Sequence, residues 1–132
     1  MVNTTTSLIL IVDDHIPAVG MLSRLLEREG YETASAYDGE QAIELCQRLE
    51  PDLVLLDVMM PKLNGFEVLR ILRNTEKTMN IPTILITAKN TPDDIEHGLG
   101  LGAEDYIAKP LNPREIIARA KRKIDRRELK DE

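Results

Sequence analysis

Leu53-Val54-Leu55-Leu56-Asp57 is the stretch that decides the fold: four apolar residues in a row, closed by a carboxylate and followed by Val58-Met59-Met60-Pro61. A strand with one face in water alternates apolar and polar residues. An unbroken apolar run instead suits a strand covered on both faces, as in a parallel sheet. Two more runs share this character, Leu8-Ile9-Leu10-Ile11-Val12 and Thr83-Ile84-Leu85-Ile86. Two weaker candidates, Glu32 to Ala36 and Asp105 to Ala108, are shorter or more polar and fit edge strands.

Helical patterns fill the gaps. Val19, Leu22, Leu25 and Leu26 outline a first helix, with Pro17 near its start and Gly30 just past its end. Asp38-Gly39-Glu40-Gln41 has the form of a capping box ahead of Ala42, Leu45, Cys46 and Leu49 on one face. A third helix runs from Asn64 to Arg73, with Val68, Leu69 and Leu72 inward. Thr91-Pro92-Asp93-Asp94 opens a fourth, with threonine at the N-cap, proline next and an acid at the third position. Asn112-Pro113-Arg114-Glu115 repeats that grammar for a fifth. Strand–helix units repeated five times call for a doubly wound α/β fold with right-handed crossovers. With the three apolar strands central and the weak ones at the edges, the predicted five-stranded parallel sheet has order 2-1-3-4-5 and is flavodoxin-like.

The 132 residues suit one domain, read as residues 1–125, with a charged helical tail or the start of a connector at 126–132. A net charge of -6 argues weakly against general nucleic-acid binding. The cations from Arg119 to Arg127 suit the C-terminal end of a solvated helix. Cys46 is the only cysteine, which excludes an internal disulfide and favours a reducing compartment. Its place on an apolar stripe assigns it to the core. No apolar run is long enough for a membrane span, and the polar N-terminus lacks a basic leader segment. The sequence therefore reads as cytoplasmic.

In doubly wound sheets, ligands bind beyond the carboxyl ends of the strands, where strand order reverses. Strand 1 ends in Asp13-Asp14, strand 3 in Asp57, strand 4 in Thr87-Ala88 and strand 5 in Lys109-Pro110. Three converging acids repel one another and raise each other's pKa. A hard divalent cation relieves this, and Mg2+ takes one or two carboxylates, waters and phosphate oxygens. A carboxylate also serves as a nucleophile toward phosphorus. The phosphoryl oxygens then need cationic or donor partners, which a metal, Lys109 and the Thr87 hydroxyl would supply.

Val12-Asp13-Asp14, Leu55 through Pro61 with Asn64-Gly65, Thr87-Ala88, Gly102-Ala103 and Tyr106 through Pro110 occur in order. Together they make the chain resemble a two-component response-regulator receiver domain over residues 7–125. The resemblance implies that Asp57 accepts a phosphoryl group from a sensor histidine kinase or a histidine phosphotransfer protein. It implies Mg2+ on Asp14, Asp57 and the main-chain carbonyl of Met59, with Asp13 acting largely through water. Lys109 would contact one phosphoryl oxygen and Thr87 would move toward another, with Tyr106 following inward as its switch partner. The Lys109–Pro110 peptide would be cis. Such a protein is no turnover enzyme; it catalyses its own Mg2+-dependent phosphorylation and slow dephosphorylation. Phosphorylation would shift the surface of helix 4, strand 5 and helix 5 toward a downstream effector domain or protein, or toward a second copy in a homodimer. A haloacid-dehalogenase-like phosphatase has similar topology, but its acids follow strand 1 as Asp-x-Asp, whereas here they are adjacent and the nucleophile is on strand 3.

Gly98-Leu99-Gly100-Leu101-Gly102 matches Gly-x-Gly-x-Gly, yet it closes a helix rather than following a strand, so the dinucleotide context is missing. Glycines there predict a weak helix end that shifts easily. His15 is expected at the mouth of the site and His97 in solvent, neither as a phosphohistidine. Met59 places an apolar side chain where a polar one would guide water, and Lys89 is expected near the phosphoryl group. The expectation is a long-lived phosphoryl state.

Overall fold

The computed structural model describes residues 6–130, and strands and helices alternate through them. The order is β1 (Leu8–Val12), α1 (Ile16–Arg28), β2 (Glu32–Ala36), α2 (Gly39–Leu49), β3 (Leu53–Asp57), α3 (Gly65–Arg73), β4 (Thr83–Thr87), α4 (Pro92–Gly100), β5 (Asp105–Ala108) and α5 (Pro113–Lys130). The sheet is parallel with order β2-β1-β3-β4-β5, as the burial argument requires. Every residue of β3 and β4 is buried, whereas β2 is fully buried only at Ala36.

Successive strand side chains point to opposite faces, and the core divides accordingly. Leu10, Val12, Val54, Leu56 and Leu85 join Ala42, Cys46, Val68, Leu69 and Leu72 from α2 and α3. Ile9, Ile11, Leu53, Leu55, Ile84, Ile86 and Ile107 join Val19, Leu22, Leu26, Ile116, Ala120 and Ile124 from α1 and α5. Each such side chain contributes about 1.5–3 kcal/mol on burial. Cys46 is 0% exposed, which confirms its structural place.

Caps fix where the helices start, and hence the loops over the carboxyl edge of the sheet. Asn64 and Glu67 close a reciprocal capping box at α3, and Thr91 and Asp94 close another at α4. Asn112 Oδ1 accepts from the Arg114 and Glu115 amides at 2.9 and 3.4 Å. At α2 the box is one-sided. Asp38 accepts from the Gln41 amide at 2.8 Å, but the Gln41 side chain accepts from the Tyr37 amide, one residue before the cap.

Helix α5 crosses residue 125 without interruption and runs to Lys130. Arg127 donates to the main-chain oxygens of Pro51 and Asp52 at 3.1 and 3.2 Å, tying this extension to the amino edge of the sheet. Residues 131 and 132 of the expected tail lie outside the described residues. Among the described residues no helix is long and apolar enough to cross a membrane.

Candidate functional site

β3 and β4 each end one residue beyond their apolar runs, at Asp57 and Thr87. The last turn of sheet hydrogen bonding thus holds these polar side chains: Asp57 is the register partner of Ile86, and Thr87 of Ala108. Asp13 follows β1 directly, and its amide donates to the Ala36 carbonyl at 3.2 Å. Three strand ends therefore converge, and carboxylate oxygens of Asp13, Asp14 and Asp57 lie within 4.8 Å of one another.

Burial divides the three acids. Asp13 and Asp57 are each 5% exposed, while Asp14 is open to solvent. The Lys109 ammonium bridges the buried pair, 3.1 Å from Asp13 and 3.5 Å from Asp57. The second Asp13 oxygen accepts from the His15 amide at 2.9 Å, and the second Asp57 oxygen from the Met59 amide at 3.2 Å. Lys109 precedes the cis peptide to Pro110, as expected.

One ammonium does not balance this cluster. Burial pushes the Asp57 carboxyl up to about 6, the Asp13 charge adds to the rise, and Lys109 and the Met59 amide oppose it. Burial depresses Lys109, but its hydrogen bond to Asp13 and the two neighbouring charges more than offset this, so its pKa is raised. An all-oxygen donor set with one exposed carboxylate and surplus negative charge fits a hard divalent cation. Asp13, Asp14 and Asp57 are the side chains able to hold it.

The loop after Asp57 is shaped by Gly65. A Cβ there would sit 2.5 Å from the Asp57 carbonyl oxygen and 2.7 Å from the Val58 Cα, so only glycine lets α3 begin against the end of β3. The Gly65 amide donates to the Val58 carbonyl at 2.9 Å. Met59, 58% exposed, lines an open cleft with Val58, Met60, Asn64, Phe66 and Lys89.

Thr87 is completely buried, and its hydroxyl accepts from the Lys89 amide at 3.1 Å. The Tyr106 hydroxyl donates to the Lys89 carbonyl. Both expected switch residues thus grip the backbone of one residue between β4 and α4. That node has no sequence signal, because backbone groups are common to every residue. The Lys89 ammonium, expected beside the phosphoryl group, is committed to Asp94 at 3.3 Å, because that carboxylate already caps the adjoining helix. His15 occupies the N-cap position of α1 without a side-chain cap. His97 is exposed, as expected, but its ring meets Phe66 edge-on with centroids 4.6 Å apart.

Comparison with known proteins agrees with this geometry. The family model described as the response regulator receiver domain matches residues 9–121. The chain is 45% identical over 121 residues to the alkaline phosphatase synthesis transcriptional regulatory protein PhoP of Bacillus subtilis, covering 92% of this chain and 50% of that protein. It is 41% identical over 126 residues to the DNA-binding response regulator MtrA of Mycolicibacterium smegmatis, covering 96% of this chain and 54% of that one. The chain thus spans about half the length of these curated relatives. Among solved structures, a CheY-like response regulator receiver domain protein from Methanospirillum hungatei superposes with a TM-score of 0.89 at 28% identity, covering 96% of this chain and 99% of that one. The BeF3-activated DrrB receiver domain gives 0.81 at 28% identity, covering 92% and 99%.

Proposed function

The chain belongs to the family of response regulator receiver domains, the phosphoacceptor switches of two-component signalling, and we propose that Asp57 is the residue that takes the phosphoryl group. The observation that carries this is a buried carboxylate pair bridged by a single lysine, with a third acid at its mouth. In the reaction an Asp57 oxygen attacks the phosphorus of a phosphohistidine on a sensor histidine kinase or a phosphotransfer protein. The phosphorus–nitrogen bond breaks and the imidazole leaves, taking up a proton.

Mg2+ held by Asp14, Asp57 and the Met59 carbonyl would neutralise charge on the phosphoryl oxygens. Asp13, whose two oxygens already accept hydrogen bonds from His15 and Lys109, would act through water. Lys109 orients the Asp57 carboxylate beforehand and then contacts a phosphoryl oxygen. Thr87 donates its hydroxyl proton to another, a charge-assisted bond stronger than the one it makes with Lys89. In turning it releases the Lys89 amide, and the displaced Lys89 carbonyl no longer holds Tyr106. Phosphorylation in this way biases two packings of the surface formed by α4, β5 and α5. On that surface Arg119 already ties α5 to Asp105 of β5 at 2.6 Å.

That face would be read by an effector domain, an effector protein or a second copy of the chain. Direct contact with nucleic acid is not assigned to this domain, and its place of action is the cytoplasm. Residues 126–132 would serve as a charged helical tail or connector. The domain promotes its own phosphorylation and slow dephosphorylation and is no classical turnover enzyme. Incubation with Mg2+ and acetyl phosphate, followed by intact mass, tests the reading. One phosphoryl group should be gained and should be lost in Asp57→Ala. Rapid hydrolysis of the donor with no accumulation of a phosphorylated mass would overturn it in favour of a phosphatase.

A further inference from the structure

Gly98 lies inside α4, where glycine is a much poorer helix former than alanine. Packing explains its presence. Leu85 and Tyr106 are register partners on β4 and β5, so their side chains leave the sheet on the same face. Helix α4 crosses above them, and Gly98 is its only fully buried residue. A Cβ at Gly98 would meet Leu85 Cδ1 at 2.6 Å and two carbons of the Tyr106 ring at 3.1 Å each. At Gly100, in the same helix, a Cβ would meet nothing within 4 Å.

We propose that Gly98 is a positioning residue of the switch: its missing side chain forms the seat of the Tyr106 ring under α4, and that seat holds the Tyr106 hydroxyl against the Lys89 carbonyl. The inference rests on the reading of Thr87 and Tyr106 as switch residues. It extends their linkage from the Lys89 backbone into the body of α4. With alanine at this position the ring must give by a few tenths of an ångström or turn away, which resets how its hydroxyl meets the Lys89 carbonyl. Better helix propensity would be opposed by crowding against Leu85 and Tyr106, so the readout of this position is the Tyr106 ring and not stability.

The test uses the full chain labelled with 13C at its tyrosine rings. There are three tyrosines, Tyr31, Tyr37 and Tyr106, and no tryptophan, so the Tyr106 signals are identified by their loss in Tyr106→Phe. Spectra of the wild type, Gly98→Ala and Gly100→Ala are compared with and without Mg2+ and beryllofluoride. The expected result is that Gly98→Ala displaces the Tyr106 ring signals before any addition and at least halves their further change on addition. Gly100→Ala should leave both as in the wild type. Should Gly98→Ala fail to fold, Gly98→Ala with Leu85→Val, read against Leu85→Val alone, removes the clashing Cδ1 and keeps the ring contact. Tyr106 signals that move no more in Gly98→Ala than in Gly100→Ala would overturn the proposal. If the wild-type Tyr106 ring ignores beryllofluoride while the Val58 and Met59 amides respond, the switch reading itself fails, and the functional half of this inference with it.

Discussion

Lys109 and Asp13, 96 positions apart in sequence, meet at 3.1 Å, and the same ammonium reaches Asp57. Lys109 is thus the counter-charge of two buried acids as well as the expected ligand of a phosphoryl oxygen. Removing one member of a buried charge cluster leaves the rest uncompensated. Lys109→Ala should therefore destabilise the cation-free protein by about 2 kcal/mol near neutral pH. Mg2+ should stabilise the variant more than the wild type, since it restores missing positive charge. Urea unfolding with chelator and with Mg2+ checks both; equal Mg2+ effects in the two proteins would contradict this role.

Asp57 predicts a pH dependence of defined sign. Its folded pKa is raised from 3.8 to about 6, chiefly by burial. The protonated form is the one favoured by folding, so its contribution is fully present below the unfolded pKa and is lost as pH rises through about 6. Cation-free wild type should lose on the order of 2 kcal/mol from this group between about pH 4 and pH 8. Asp57→Asn lacks the ionisation, so it should be the more stable protein at the alkaline end and lose the advantage in acid. Parallel stability profiles for the two proteins would exclude the effect.

These two predictions concern features of unequal legibility in the sequence. Leu53 to Leu56 announced a central strand because burial on both faces permits no polar residue, and Glu32 and Ser35 marked an edge for the opposite reason. Asp13, Asp14 and Asp57 could be placed together because topology alone brings the ends of β1 and β3 to one side. Distances between elements are not written in local pattern. The Lys109–Asp13 bond, the Gln41 reach to Tyr37 and the Arg127 anchor on Pro51 and Asp52 all depend on tertiary approach. The charged run after Ile124 reads as a charged helical tail or connector, and the anchor of Arg127 lies in the helix that runs through it to Lys130. The Gly98 to Gly102 stretch showed only weak helix propensity, while the structure gives its glycines different roles: Gly98 admits a ring, and Gly102 takes a φ of +106°.

Met59 predicts the lifetime of the phosphoryl group. It lies two residues beyond Asp57 and is 58% exposed, lining a cleft with Asn64 and Lys89, and its thioether cannot orient a water as an amide can. Met59→Asn should speed loss of phosphate by about tenfold, equivalent to about 1.4 kcal/mol of barrier. Decay of the phosphorylated mass after removal of the donor measures it, and an unchanged half-life would count against water control by Met59.

Helix α4 should open more readily than its neighbours. Gly98 is its only fully buried residue, whereas α1 buries Val19, Leu22 and Leu26 and also packs Leu25. Local opening is governed by such contacts, since each buried side chain must be exposed for the helix to unravel. The capping box of Thr91 and Asp94 and the Asp94–Lys89 ion pair secure the first turn, but the last turn has two glycines, one of them with open space where a Cβ would stand. Amide exchange should therefore be faster at residues 96–101 than in the middle of α1. Gly100→Ala should slow it by several-fold, because up to about 1 kcal/mol of backbone entropy is recovered with no clash. Equal protection of the two helices in the wild type would show that α4 is no weak point, and would remove the reason to expect that it shifts on phosphorylation.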